Sequence, residues 1–266
     1  MDTTTTEVRE GWHRHPNGGG WVQDTAEVSY NAWVSENAQI YDDARVSENA
    51  RIYGNAQIYD DAWVYGNAWV YGNAEVYGNA RVYGTAWVHS DARVSGNAQI
   101  YLNAEVYGNA RVSDYARVFS DARVSSDAQV SGNAQVYDDA WVYGDARVSG
   151  YAQVHGYARA YGNACVYGNA QVSGDAWIYG SARVSGDARV SGSAWEISPL
   201  YIQGTLYSLT NCKHGYIQIG CNSKTLAEWR VNGEAIARGE SFSPEQIEEY
   251  RAYLDLFERV MKPLPS

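Results

Sequence analysis

Eleven arginines lie between Ala26 and Ile197, with no lysine among them, and all occupy one position of a short repeat. Arginine forks bind carboxylate or phosphate in bidentate fashion and lie flat on aromatic rings. Here they are interleaved with tryptophan and tyrosine at fixed spacing. That chemistry is adhesion to a partner or to a planar anion. Candidates for bond-making are few. His89 and His155 stand where tyrosine or serine usually stands. The sequence pins no carboxylate or nucleophile beside either, so each reads as a member of a surface ladder and not as a general base. Cys212, His214 and Cys221 could supply three metal ligands, but their spacing fits no zinc pattern and a fourth ligand is missing. The acidic pairs Asp42-Asp43, Asp60-Asp61 and Asp138-Asp139 lack the glycine-rich nonapeptide that binds calcium in other β-rolls. There is no phosphate-binding glycine loop, and threonine is too scarce in the repeats for an ice-binding ladder. No catalytic residue, metal or cofactor is expected.

The element that positions the arginines is a six-residue unit. Alanine recurs at every sixth position from Ala26 to Ala194, 29 times without a skip or insertion. Two residues after each alanine stands Val or Ile, with Ala160 the one internal exception, and the pattern ends where Glu196 takes that place. In Ala68-Trp69-Val70-Tyr71-Gly72-Asn73, strand alternation sends positions 1 and 3 inward and positions 2 and 4 outward. Positions 5 and 6 are mostly Gly, Asp, Ser or Asn, so each strand is expected to last about four residues before a corner. One such strand cannot bury its apolar side alone, but stacked copies give a continuous core and a full backbone ladder. Three strands per coil make a triangular prism of nearly ten coils, on the order of 46 Å long at the usual strand spacing.

The run Val70-Tyr71-Gly72-Asn73-Ala74 resembles the hexapeptide-repeat family, and the resemblance covers about two thirds of the chain. It implies a left-handed parallel β-helix with three strands per coil. Many members of that family are acyltransferases, which place a histidine base beside a loop interrupting the helix, at a cleft between subunits. No loop interrupts the 29 units here, so that activity stands only as an alternative. The segment His15-Pro16-Asn17-Gly18-Gly19-Gly20-Trp21-Val22, with Ile219-Gly220-Cys221 and Glu228-Trp229 in the tail, is similar to uncharacterised bacteriophage and prophage repeat proteins, which implies a phage origin and a host-cell setting.

Every third unit stacks on one face. Position 2 of the second face reads Trp33, Arg51, Trp69, Trp87, Glu105, Arg123, Trp141, Arg159, Trp177, Trp195, and position 4 there includes Tyr71, Tyr107 and Tyr143. One reading is a set of cross-strand ladders that stabilise the sheet. The other is a contact surface, since Trp, Tyr and Arg dominate binding hot spots. Its user would be another subunit first, then a host protein or a small anionic ligand such as a nucleotide.

Residues 1–20 are expected to form an amino-terminal cap, 21–197 the β-helix, and 198–266 an α+β unit that caps the rod or assembles it. In that unit Leu200 to Thr210 and His214 to Cys221 read as strands about a turn at Asn211 to Gly215. Thr225 to Arg238 reads as a helix, and Ser243-Pro244-Glu245 opens a second one through Val260. Ile247, Tyr250, Leu254, Phe257 and Met261 form its apolar stripe. The net charge of -11 opposes generic nucleic-acid or acidic-membrane binding. Three cysteines in 266 residues, no signal-like amino terminus and no long apolar run predict a soluble, cytoplasmic protein.

Overall fold

Alternation and a six-residue period produce a parallel β-solenoid in the computed structural model, which describes residues 9–192, 194–195, 198–213 and 215–260. Positions 2 and 3 of each unit pair with their counterparts 18 residues on, as Trp69 with Trp87 and Val70 with Val88. The strands are therefore two residues long, shorter than expected, yet the backbone ladder runs further. Trp33 N–H donates to the Ala50 carbonyl (2.9 Å), Ser35 N–H to Ile52 (3.0 Å) and Asn37 N–H to Gly54 (3.0 Å). In many units the corner closes on itself, as where Ala38 N–H reaches back to the Ser35 carbonyl at 3.2 Å.

Position 5 carries the corner in the left-handed region. At Gly72 φ is +74°, and a Cβ there would stand 2.9 Å from the Ser90 nitrogen in the next coil. Aspartate tolerates this conformation better than most residues, and the structure shows an added reason for it: Asp60 (φ 56°) accepts a hydrogen bond from Gly78 N–H one coil on, at 3.0 Å. The acidic corners are thus part of the ladder.

Three sheets of 11, 10 and 10 strands form the walls of the prism. The alanine and the valine or isoleucine of nearly every unit are buried between them, Ala160 included, as one continuous apolar column. At the first end Trp12–Arg14 pairs antiparallel with Trp21–Gln23, and Trp21 is buried beneath the Arg14 guanidinium at 3.7 Å. The glycines preceding Trp21 let this hairpin approach the first coil. A Cβ on Gly18 would lie 2.4 Å from the Val34 carbonyl oxygen, and Gly20 N–H donates to that same oxygen at 2.7 Å.

The other end differs from the sequence expectation. Trp177 pairs with Ala194 and Ile178 with Trp195, so the last coil is one residue short. A one-residue slip reverses the facing of every side chain in a strand. Trp195 therefore leaves the outer second-face column and turns into the core, 7% exposed.

Beyond the solenoid stand four antiparallel strands, Tyr201–Gln203, Ser208–Lys213, Tyr216–Ile219 and Asn222–Thr225, followed by helices α1 (Leu226–Gly239) and α2 (Pro244–Val260). Two of those strands were not expected. The stretch from Leu200 to Thr210 is broken by a turn that the Tyr250 hydroxyl holds, accepting from Leu206 N–H at 3.1 Å and donating to the Tyr207 carbonyl at 2.7 Å. The expected turn at Asn211 is instead strand through Lys213, with a bulge. Thr225 caps α1 in a capping box with Glu228, and Ser243 caps α2 with Gln246. Tyr250, Leu254 and Phe257 pack against Trp229, Leu209 and Ile217. Met261 and His214 lie outside the described residues.

Candidate binding faces

Each arginine and tryptophan of the second face stands at position 2 because position 1 is a buried alanine, so the 18-residue period sets them one above another. The column runs Trp33, Arg51, Trp69, Trp87, Glu105, Arg123, Trp141, Arg159, Trp177 in register. Its members engage one another. Arg51 lies over Trp69 (4.9 Å), Trp69 stacks on Trp87 (5.3 Å), and Arg159 sits near both Trp141 (5.9 Å) and Trp177 (5.1 Å). Arg123 pairs with Glu105 at 3.6 Å. Beside it a second column stacks Tyr53, Tyr71, His89 and Tyr107 at 4.7–5.2 Å, and Tyr143 on Tyr161 at 4.8 Å. All eleven residues singled out from the sequence share this face. Trp33, Trp87 and Trp177 remain 46%, 41% and 42% exposed.

His89 has both ring nitrogens engaged, Nε2 with Glu105 at 3.0 Å and Nδ1 with the Ser90 hydroxyl at 3.1 Å. The carboxylate beside His89, which the sequence does not pin there, comes from position 2 of the next coil. His155 stacks on Tyr137 at 4.7 Å and has Asp138 at 3.8 Å. Among the described residues no group of three or more His, Cys, Asp or Glu could hold a metal ion, and no helix is long and apolar enough to cross a membrane.

Sequence reasoning missed the longest ring column. On the first face Tyr65, Tyr83, Tyr101, Phe119, Tyr137 and His155 stack in one run at 4.7–5.0 Å. Position 4 of every third unit spells it out on that face as well. One serine interrupts such a column, Ser125, and another, Ser47, ends one; an indole from the next coil covers each. Trp63 Nε1 donates to the Ser47 hydroxyl and Trp141 Nε1 to that of Ser125, both at 3.2 Å. A cleft of about 660 Å³, whose walls include Leu206, Tyr207, Trp229, Ile236, Phe242 and Leu254 of the tail, also escaped notice.

Burial in the stacks, the first cause in each case, raises the phenol pKa of Tyr53, Tyr65, Tyr71, Tyr83, Tyr101, Tyr137 and Tyr143 above the ordinary 10.0. Below pH 10 both folded and unfolded chains keep these protons, and the stabilisation is complete. As pH climbs past 10 the unfolded chain ionises first, so stability falls until the raised values are reached. The melting temperature should decline steeply above pH 10, with phenolate absorbance rising together with loss of the β-sheet circular-dichroism signal. Ionisation of these seven stacked phenols well before unfolding would contradict burial in the ladder.

A prism of six-residue units with alanine and valine inside defines a hexapeptide-repeat β-solenoid. Its units match the model of the family described as YdcK beta solenoid repeat over residues 38–54, 56–72, 74–90, 128–144, 140–156, 170–185 and 182–197. Among solved structures, the Francisella novicida UDP-N-acetylglucosamine acyltransferase aligns with 86% of this chain and 76% of its own, at 13% identity and a TM-score of 0.47. A second UDP-N-acetylglucosamine acyltransferase structure aligns over 92% and 83%, at 13% identity and a TM-score of 0.30. No curated protein sequence matches the chain.

Proposed function

We propose that the protein is a non-catalytic interaction scaffold whose second face engages a macromolecular partner. The observation that supports this reading is that Trp33, Trp87 and Trp177 stay open to solvent after the ladder has formed, with Arg51 and Arg123 exposed beside them. Rigid indoles and arginine forks lose little freedom on docking and dominate binding energies. The partner to try first is a second copy of this chain. A host-cell protein follows, given the resemblance of the entry and tail segments to phage repeat proteins. Light scattering over a concentration series reads the first case. The double change Trp69→Ala, Trp87→Ala should weaken assembly by about thirtyfold or more while leaving the β-sheet spectrum intact. If the wild type is monomeric throughout, affinity capture from host lysate with wild type and double variant side by side reads the second. A lysate protein retained by the wild type and lost by the variant supports the proposal. A monomer whose captured proteins do not depend on the two tryptophans overturns it.

A further inference from the structure

The third face carries a break that the protein leaves open. Its position-4 column begins as a stack, Tyr41 on Tyr59 on Tyr77, each pair 4.9 Å apart. It then passes to Ser95, Ser113, Ser131 and Ser149 before an aromatic returns at Tyr167. On the other faces an indole one coil on covers a serine beside the ring stack, Trp63 over Ser47 at the end of one stack and Trp141 over Ser125 within the other. The residues in that place here are Arg111, Gln129, Arg147 and Cys165, none of which has a flat ring. A trough of about 270 Å³ results, with Tyr77 at one end, serines along it, and Arg93 and Arg111 beside them.

We infer that this trough binds a planar aromatic ring carrying an anionic group. The two indole-covered serines show what fits over a serine in these columns: a flat ring with an N–H aimed at the hydroxyl. A ring placed over Ser95 would continue the tyrosine stack on the open face of Tyr77, one coil spacing away. The charge comes from the flanking column. Arg93 and Arg111 are direct register partners, and like charges so placed repel. Arg93 has Glu75 at 3.4 Å, whereas among the described residues Arg111 makes no ion pair. An anion between the two guanidiniums relieves that repulsion and gains bidentate hydrogen bonds. The anion can be the phosphate of a nucleotide or the carboxylate of an aromatic acid; the recognition chemistry is shared. Neither the second face nor its partner enters this inference.

Calorimetry on the full chain tests it with four probes: AMP, indole-3-acetate, adenosine and ribose 5-phosphate. AMP, indole-3-acetate or both should bind, at least about tenfold tighter than adenosine and ribose 5-phosphate, because ring and anion are each needed. Binding of AMP alone assigns a phosphate ligand, and of indole-3-acetate alone a carboxylate. Ser95→Tyr extends the stack of Tyr41, Tyr59 and Tyr77 by one ring, so it should keep the fold, fill the vacancy and abolish binding. Arg111→Ala should weaken binding about tenfold or more. Trp69→Ala, Trp87→Ala should leave it unchanged, which separates this site from the second face. No binding of either ring-bearing anion overturns the inference, as does ribose 5-phosphate matching AMP, or binding that survives both Ser95→Tyr and Arg111→Ala.

Discussion

Val106→Asp should lower stability by at least about 4 kcal/mol and split the unfolding transition in two. Val106 is fully buried, between Val88 and Val124 of the neighbouring coils, near the middle of the rod. A carboxyl there has no partner, and burial would force it to take up a proton or expose the coil to water. Each coil touches only its neighbours, so a failure at one level uncouples the units on either side. Tryptophans lie on both sides, Trp33, Trp63, Trp69 and Trp87 before and Trp141, Trp177 and Trp195 after, so fluorescence in a urea titration follows both halves. Val106→Thr, similar in shape, should lose only about 1–3 kcal/mol and remain one transition. A Val106→Asp melt superimposable on the wild type would contradict the sealed core at this level.

Trp195→Ala should cost about 3–5 kcal/mol, the range for removing a buried indole. Here the indole closes the open end of the alanine and valine column, with Nε1 donating to the Gly192 carbonyl at 3.2 Å. Its loss should fray the last coils first, giving faster amide exchange at Val184 and Val190 while Val106 stays protected. By contrast Trp177→Ala, on the outer column, should cost much less. Equal losses for the two would mean that Trp195 is an outer-column residue after all.

That contrast marks where the sequence stops being readable. From Ala26 to Arg189 the facing of a side chain follows from its place in the six-residue unit, because alternation and an unbroken period leave no freedom. The second-face column could accordingly be assembled by counting. Trp195 defeats counting, since one missing residue in the last coil is invisible until the register Trp177 with Ala194 is seen. In the tail the helix starts at Thr225 and Ser243 lie close to their expected places because capping is a local signal. The extra strands were not. The turn after Gln203 is held by Tyr250, more than forty residues away, and no local pattern announces such a contact. The third-face trough is a different case. Its serines are plain in the sequence, but their meaning depends on seeing that indoles cover Ser47 and Ser125 elsewhere.

The uninterrupted six-residue count also fixes a phase relation along the rod. Removing 18 residues would withdraw one storey and leave everything beyond it pointing the same way. Removing six would rotate all that follows by a third of a turn about the axis, so that columns now continuous would be cut and joined to strangers. Each unit added or removed therefore changes height and azimuth together, and only multiples of three change height alone. The tail, with its cleft, can be carried to another height or to another side by the choice of how many units precede it.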